Sequence, residues 1–472
     1  MNTLLFRCFI ILVCCAFSHL GSAQTEYVVI EEIAVDGNKK TRRRVVLREL
    51  DIHVGDTLAL DNMMARFAQN EYYLMNTGLF NQAKIEVREW DTEAKKIYLR
   101  VDLNEAFPIL PLPIFELADR NFSVWWTEMQ RDFSRVNFGM RLYHFNLTGN
   151  RDRIRGTAQW GYTRKGELDY DLPGLNRRKT LGAGINMLFT RNKELAYRTV
   201  GNELQFQSAD GDFLHRRRRF AARVYLRPEL FTLHEFRAAF YRHRITDFVK
   251  DQLNPDFFGN DQTQQRWLEL TYRYETDRRD IRPYPLHGHY LAGTLRKVGL
   301  GVYEERDAFD LTTRVGLWRQ LGDSRFSTEL IAQGRYSFVQ KQQPYYATRA
   351  LGYEEDYLRG YEFYVIDGLD YFYQKSTLRY ELFSNDIDWG KLSPIESFRV
   401  MPTRVYLTLN SDIGYARDRY YAAGNPLSNS FLWGGGPGLD IIVFYRMVAQ
   451  IEYSWNRKGE SGLFLHLRFG NN

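Results

Sequence analysis

Two kinds of hydrophobic pattern divide the chain after its first 23 residues. The first part holds an alternating segment that ends in a turn at Asp36-Gly37-Asn38, two segments with helical spacing, and two further alternating segments. In order these are Val28 to Val35, Thr41 to Leu50, Leu60 to Met75, Ala83 to Glu89 and Lys96 to Leu103. The order strand, helix, helix, strand, strand predicts one small α+β domain at residues 24–107, because about 80 residues suffice for an independent core.

From residue 108 to the end, short alternating segments recur between turn-rich loops. In Arg404 to Gly414, the apolar Val405, Leu407, Leu409 and Ile413 share one face, and the polar Tyr406, Thr408, Asn410 and Asp412 share the other. Similar alternation occurs in Phe220 to Arg227, Trp267 to Tyr274, Ser376 to Leu382, Met447 to Trp455 and Gly462 to Phe469. At about 22 residues per strand with its connection, residues 108–472 predict a transmembrane antiparallel β-barrel of about 16 strands.

The composition supports a barrel over other folds. The chain is 26% charged and yet 15% aromatic, with 31 Tyr and 32 Phe. Transmembrane barrels combine these properties, because polar lumenal residues alternate with lipid-facing apolar residues and aromatic residues line both membrane interfaces. After residue 23 no apolar stretch reaches the roughly 18 to 20 residues that a transmembrane helix needs. A soluble sandwich would alternate too, but its loops would hold fewer aromatic residues.

The first 23 residues have the layout of a secretory signal peptide. Arg7 precedes an apolar run from Phe9 to Phe17, and small residues follow at Gly21-Ser22-Ala23. We therefore expect the mature chain to begin near Gln24. The three cysteines, Cys8, Cys14 and Cys15, all lie in this segment, so we expect no disulfide and no cysteine-based metal site in the mature protein.

The charge pattern argues against nucleic acid as a partner. The formal net charge is +6, and basic residues are interspersed with acidic ones. The densest basic run, Arg216 to Arg219, flanks an apparent strand, and we interpret it as a solvated loop or a lipid-headgroup contact.

Ordered motifs in the N-terminal part resemble those of a polypeptide-transport-associated (POTRA) domain. They are Ile33-Ala34-Val35-Asp36-Gly37-Asn38, Arg48-Glu49-Leu50, Val54-Gly55-Asp56 and Asn76-Thr77-Gly78-Leu79-Phe80-Asn81. Several motifs in order at matching spacing are stronger evidence than any one of them. The glycines within them have structural roles in turns and at a helix end.

A second resemblance lies in the barrel region, at Leu358-Arg359-Gly360-Tyr361 within a long connection between strands. This string is similar to the valine-arginine-glycine-phenylalanine or tyrosine motif of the BamA/TamA assembly family and of two-partner secretion transporters, with Leu358 in place of valine. The resemblance implies that this loop folds into the barrel lumen. It also implies that Arg359 contacts acidic residues on the wall, at the positions of Glu381 and Asp412, which fall on the polar faces of their strands. A guanidinium can hold two carboxylates at once.

The C-terminal segment resembles the last strands of the same family. Residues Gly434 to Asp440 look like the glycine-rich entry to them, and Gly462 to Gly470 looks like the closing strand. We expect its alternate residues to face lipid, namely Leu463, Leu465, Leu467 and the terminal aromatic Phe469. The first strand is expected within Ile114 to Trp126. In the family these two strands pair weakly, and the opened seam offers strand edges to a client.

The predicted function is assembly or insertion of outer-membrane proteins, with the α+β domain in the periplasm. The implied partners are unfolded outer-membrane client proteins, outer-membrane lipids, and periplasmic chaperones or accessory subunits. A dedicated two-partner secretion pore is the alternative, and a passive porin is a weaker one because it needs neither POTRA domain nor loop motif.

We do not expect an enzyme or a cofactor. The only local histidine cluster is His287-Gly288-His289, and two histidines alone do not complete a metal shell. No residue is therefore assigned to catalysis, and none to a metal.

Overall fold

The fold is taken from a computed structural model of the chain. It describes residues 26–117, 122–127, 129–209, 212–303, 306–353, 356–388, 390, 400–443 and 447–469, with the backbone alone for Phe122, Ser123, Val400 and Phe469. The predicted signal peptide lies outside these residues.

The N-terminal part is an α+β domain. Its elements are β1 (Tyr27–Asp36), α1 (Arg43–Arg48), β2 (Thr57–Ala59), a 3₁₀ turn (Leu60–Asn62), α2 (Met63–Met75), β3 (Phe80–Asp91) and β4 (Lys96–Glu105). The strands form one sheet in the order β2-β1-β4-β3, in which β1 and β4 are parallel and the outer pairs are antiparallel. The predicted element order is correct, and the short strand β2 is added to it.

One apolar core holds this domain together. Ile30 and Ile33 of β1, on either side of a β-bulge, and Leu99 of β4 are buried in one cluster with Phe67 and Leu74 of α2. The helix therefore presents residues seven apart to the sheet, as an amphipathic helix with 3.6 residues per turn requires.

The rest of the chain forms a barrel from one antiparallel sheet of 16 strands, as predicted from the length of this region. The strands are β5 (Ile109–Leu117), β6 (Val136–Phe145), β7 (Arg153–Gly161), β8 (Thr163–Leu172), β9 (Leu181–Asn192), β12 (His215–Leu226), β13 (Thr232–Ile245), β14 (Gln264–Asp277), β15 (Gly288–Val298), β16 (Ala308–Gln320), β17 (Phe326–Ser337), β20 (Asp370–Asp388), β21 (Val400–Arg417), β22 (Leu432–Val443), β23 (Met447–Asn456) and β24 (Ser461–Phe469).

Further elements lie in the connections. They are α3 (Phe122–Thr127), the hairpin of β10 (Glu194–Val200) and β11 (Glu203–Ser208), the pair β18 (Arg349–Leu351) and β19 (Ile366–Asp367), 3₁₀ turns at Phe133–Arg135 and Tyr345–Ala347, and a π-helical turn at Val249–Leu253. No helix in the described ranges is long and apolar enough to cross a membrane.

The two faces of the barrel wall follow the sequence pattern. In β21, Leu407 and Leu409 are exposed on the outside, whereas Tyr406 and Asp412 are buried on the inside. Exposed apolar side chains recur around the outside, for example Met140 on β6. The alternation of apolar and polar residues in Arg404 to Gly414 therefore separates the outer from the inner face of the barrel wall, because successive side chains of a strand point to opposite faces.

Two sequence interpretations are corrected by the strand bounds. The first strand is Ile109–Leu117 rather than a segment within Ile114 to Trp126, since the chain already pairs with β6 from Ile109. The run Arg216 to Arg219 is not a loop but lies within β12, where it alternates between faces. Arg217 and Arg219 point inward and donate to Thr190 Oγ1 at 2.9 Å and Asn186 Oδ1 at 3.0 Å.

Candidate functional site: the lumenal loop and the barrel wall

The connection between β17 and β20 folds back into the barrel, and its central motif is buried. Leu358, Arg359 and Tyr361 are among the buried residues of the chain, and Leu358 and Tyr361 pack in an apolar cluster with Tyr371, Tyr373 and Leu432 of the wall. The loop thus occupies the lumen beside β20 to β23.

Arg359 binds two carboxylates from two different strands. Its Nη1 donates to Asp412 Oδ1 at 2.9 Å, and its backbone N–H donates to Asp412 Oδ2 at 3.1 Å. Its Nε donates to Glu452 Oε1 at 3.0 Å. The side chains of Arg359, Asp412 and Glu452 are 9%, 0% and 2% exposed, so the ion pairs are shielded from solvent. A single guanidinium therefore ties the loop to β21 and β23.

The backbone next to Arg359 is held as well. Gly360 N–H donates to Ser454 Oγ at 3.1 Å, and Asn456 Nδ2 donates to Gly360 O at 2.7 Å. Tyr361 OH donates to the backbone oxygen of Trp433 at 3.3 Å. The loop is therefore fastened along three consecutive residues to the inner faces of β22 and β23.

Glycines allow this close approach. A Cβ on Gly434 would lie 2.0 Å from the backbone oxygen of Arg359. Gly360 has φ +79°, and a Cβ on it would lie 2.6 Å from the backbone oxygen of Trp455. Both positions exclude a side chain on steric grounds, so the glycine-rich start of β22 has a specific role in seating the loop.

Of the two predicted partners of Arg359, the structure brings Asp412 to it and not Glu381. In the β20–β21 ladder, Asp412 pairs with Lys375, whereas Glu381 pairs with Tyr406 and accepts a hydrogen bond from its hydroxyl at 3.0 Å. These two levels are six positions apart along the strand, about 20 Å, which is too far for one arginine to bridge.

Glu452 is the partner that the motif comparison missed. It lies on the polar face of Met447 to Trp455, a segment whose alternation is evident in the sequence. The sequence feature that could have indicated Glu452 is an acidic residue on the polar face of the penultimate strand. Nothing in the linear sequence relates it to Arg359, which is 93 residues away.

The loops at the far end of the barrel close over the lumen. The β10–β11 hairpin reaches across the opening, and Asn202 at its tip is fully buried. Asn202 accepts from Leu427 N–H at 2.8 Å through Oδ1, and its backbone oxygen accepts from Val365 N–H at 2.8 Å. The hairpin thereby joins the lumenal loop to the β21–β22 connection, and together they cap the barrel.

The first and last strands form the two ends of the sheet. Among the described residues, no ladder pairs β5 with β24. Two residues of β5, Pro111 and Pro113, have no backbone N–H and lie on the same side of the strand. Phe145 N–H donates to Pro108 O at 2.7 Å, and hydrogen-bonded positions alternate along an antiparallel pair, so the nitrogens of Pro111 and Pro113 point away from β6 and the free edge of β5 lacks two donors.

The side chains of the last strand alternate between exposed and buried where they are described. Leu463, Leu465 and Leu467 are exposed on the outside of β24, while Phe464 on the alternate face is buried. The side chain of Phe469 lies outside the described residues. The short helix α3 packs against β24 and so lies near the seam.

Comparison with known proteins identifies the N-terminal domain. Residues 28–106 match the POTRA family model, described as the surface antigen variable number repeat. These residues form a POTRA domain. The motif resemblance seen in the sequence is thereby confirmed, and no curated protein sequence matches the chain.

The whole chain is similar in fold to solved structures. BamA from Haemophilus ducreyi lacking POTRA domains 1–3 is 11% identical, with a TM-score of 0.50 over 94% of this chain and 84% of the other. CdiB from Escherichia coli is 10% identical, with a TM-score of 0.47 over 95% of this chain and 90% of the other. For CdiB from Acinetobacter baumannii the identity is 12% and the TM-score 0.49, over 94% and 74%. One POTRA domain followed by a 16-strand barrel is the architecture of this protein.

The POTRA domain is docked against the short-turn end of the barrel through a buried carboxylate. Glu49 Oε1 accepts from Arg151 Nη1 and Arg227 Nη1, each at 2.6 Å, and Glu49 Oε2 accepts from Arg227 Nη2 at 2.9 Å. Burial raises the pKa of the Glu49 carboxyl, but Arg151 and Arg227 outweigh burial and lower that pKa to about 2. Glu49 is therefore ionised and clamped at neutral pH.

Further contacts fix the same interface. Asn146 Nδ2 donates to Thr41 Oγ1 at 2.8 Å, and Asn76 Nδ2 donates to the backbone oxygen of Asp280 at 3.1 Å. Tyr73 packs edge-on against Phe231, with ring centroids 5.1 Å apart. The motif Arg48-Glu49-Leu50 therefore has two roles, because Leu50 is in the POTRA core and Glu49 binds the barrel.

Proposed function

We propose that this protein assembles or inserts other polypeptides at the outer membrane, receiving them through its POTRA domain and folding them at the seam between β5 and β24. The observation that carries the proposal is the seam itself, because an unpaired strand edge can recruit a client strand through backbone hydrogen bonds without requiring a specific sequence. The proposed partners are unfolded outer-membrane proteins and the lipids around the barrel, with periplasmic chaperones or accessory subunits as further candidates. No catalytic step or cofactor is part of the proposal.

The blocked lumen favours the seam over the lumen as the route. The loop around Arg359 fills the space beside β21 to β23, and the β10–β11 hairpin joins it to the cap at the far end. A polypeptide passing through the lumen would have to displace both. Dedicated secretion through the lumen therefore requires a larger rearrangement than strand addition at the seam, and the same obstruction weakens the porin interpretation.

The POTRA sheet offers a second edge to an extended client. In the order β2-β1-β4-β3, the 12-residue strand β3 lies at one end. One of its edge donors, Ile85 N–H, is already bound to Glu71 Oε1 at 2.7 Å. A client strand would add along β3 after displacing Glu71, and the docked orientation of the domain would keep that edge at a constant position relative to the barrel.

The orientation of the protein follows from the same proposal. The exposed apolar side chains on the outside of the strands would contact lipid, and the POTRA domain at the short-turn end would lie in the periplasm. Protease added to intact cells is then expected to leave the POTRA domain uncut, and to cut it once the outer membrane is permeabilised. Cleavage in intact cells would contradict this orientation.

The function is tested by controlled depletion of the protein in its own cell, followed by quantitative profiling of outer-membrane and periplasmic proteins. Broad loss of barrel proteins with periplasmic accumulation of their precursors is expected for an assembly factor. Loss of one or a few exported proteins would favour the dedicated secretion role. An unchanged protein profile with altered solute permeability would overturn the proposal in favour of a porin.

A further inference from the structure

A second cluster of polar side chains lies beside the Arg359 contacts. Glu362 of the lumenal loop, Glu452 of β23 and His466 of β24 each offer one possible ligand atom, and these three atoms lie within 4.8 Å of one another. The three residues come from three separate segments, so the cluster exists only in the folded barrel. Oxygen and imidazole nitrogen are ligands that Zn²⁺ accepts.

Two of these atoms are buried without a hydrogen-bond partner. Glu452 uses Oε1 to bind Arg359, but within the described part of the chain Glu452 Oε2 and His466 Nε2 make no hydrogen bond. They are 3.8 Å apart, which is too long for a hydrogen bond between them, and their side chains are 2% and 10% exposed. Buried polar atoms without partners are costly, and a bound cation would satisfy both.

The imidazole is oriented toward the cluster by an aromatic contact. The ring of His466 stacks on Tyr357 of the lumenal loop, with centroids 4.7 Å apart and an interplanar angle of 16°. Arg359 similarly fixes the carboxylate of Glu452 through its other oxygen. Two of the three ligand groups are therefore positioned by contacts outside the cluster, as in metal sites whose ligands are held by neighbouring residues.

From this geometry we infer that Glu362, Glu452 and His466 form a binding site for a divalent transition-metal cation of the Zn²⁺ type. Tetrahedral bonds of about 2.0 Å place ligand atoms about 3.3 Å apart, and the three atoms lie within 4.8 Å of one another, so binding requires neighbouring side chains to approach by at most about 1.5 Å. Three protein ligands leave a fourth position for water.

The charges around the site limit how tightly it binds. Arg359, Lys375 and Arg468 face the carboxylates of Asp412, Glu452 and Glu362, so the surroundings are close to neutral. The bound metal would connect the lumenal loop directly to the last two strands of the barrel.

The test is a titration of the folded mature chain, purified without a histidine tag, with Co²⁺ alone. We expect one Co²⁺ per chain with the visible absorption of a tetrahedral site, and displacement of that signal by Zn²⁺. His466→Gln and Glu362→Gln should each lower Co²⁺ affinity by more than about tenfold, because each removes a direct ligand. His287→Gln, which alters an exposed histidine 3.5 Å from Asp280, is the matched control and should leave the affinity unchanged.

Each variant is first checked for a folded barrel by its heat-dependent electrophoretic mobility. A folded wild-type protein with no stoichiometric Co²⁺ signal would overturn the inference. So would a signal that survives in both His466→Gln and Glu362→Gln, or one that is lost in His287→Gln.

Discussion

Arg359 binds Glu452 through Nε at 3.0 Å, which joins the lumenal loop to the strand preceding the last one. The second carboxylate, Asp412, is on β21, so the guanidinium bridges two strands of the wall. This bridge lies beside the C-terminal strands that border the seam. The position of the loop and the arrangement of the last strands are therefore mechanically connected through one side chain.

Replacing Arg359 by alanine is expected to destabilise the barrel by about 3–5 kcal/mol, because Asp412 and Glu452 would be left buried without a counter-charge. The free energy of unfolding, measured by urea titration in lipid vesicles with tryptophan fluorescence, tests this value. Glu381→Gln is the matched control and should change it by less than about 1 kcal/mol, since the Glu381 carboxylate accepts a hydrogen bond from the neutral Tyr406 hydroxyl and an amide oxygen can accept the same bond. Equal losses of unfolding free energy for the two variants would contradict the conclusion that Glu452, and not Glu381, is the second carboxylate partner of Arg359.

Gly434→Ala is expected to prevent the loop from seating. The added methyl group would lie 2.0 Å from Arg359 O, and relieving that overlap costs about 1–3 kcal/mol. Limited proteolysis should then cut within residues 338–369 faster than in the wild type. Gly293→Ala is the comparison, because a Cβ at Gly293 meets nothing within 4 Å. Unchanged cleavage of the Gly434→Ala loop would show that the loop tolerates the methyl group.

Glu49→Gln is expected to release the POTRA domain from the barrel. The pKa of Glu49 is lowered from 4.5 to about 2, which corresponds to about 3 kcal/mol of interaction with the arginines. Energy transfer between fluorophores on the POTRA domain and on a short barrel turn measures docking. His53→Gln, which alters an exposed POTRA residue, should leave the transfer efficiency unchanged.

The same lowered pKa determines how docking depends on pH. A carboxyl whose pKa falls on docking stabilises the docked state fully above its undocked value, here 4.5, and loses that stabilisation as the pH falls toward 2. Docking should therefore remain constant from neutral pH down to about pH 5. A decline in transfer efficiency already within that range would contradict the conclusion that an ionised Glu49 holds the POTRA domain on the barrel.

Replacing Pro111 and Pro113 together by threonine is expected to slow client assembly. The substitutions restore two N–H donors to the free edge of β5, so that edge can pair more firmly with β24 and close the seam. The rate of folding of a urea-denatured client barrel into vesicles containing the protein measures the effect. Leu112→Thr changes the same strand without adding a donor and should not alter the rate. If the client folds as fast with the double variant as with the wild type, the two missing N–H donors do not determine how firmly β5 and β24 pair.

The amino-acid sequence determined the elements and their faces. In β21 the inward Tyr406 and the outward Leu407 follow from a period of two that each strand carries locally, and the count of 16 strands follows from the length of chain available. The POTRA motifs likewise lie close together in the sequence. Such local patterns are legible without a structure, because they depend on neighbouring residues only.

Contacts between distant segments were decided by the tertiary structure alone. Glu381 and Glu452 are both acidic residues in predicted strands, and only strand register and the path of the loop put Glu452 beside Arg359 and Glu381 beside Tyr406. Register is set by the pairing of whole strands, and the loop is seated where glycines leave room for it. The ion pair of Glu49 with Arg227 and the proximity of Glu362 to His466 also depend on how distant segments pack, so neither can be read from the linear sequence.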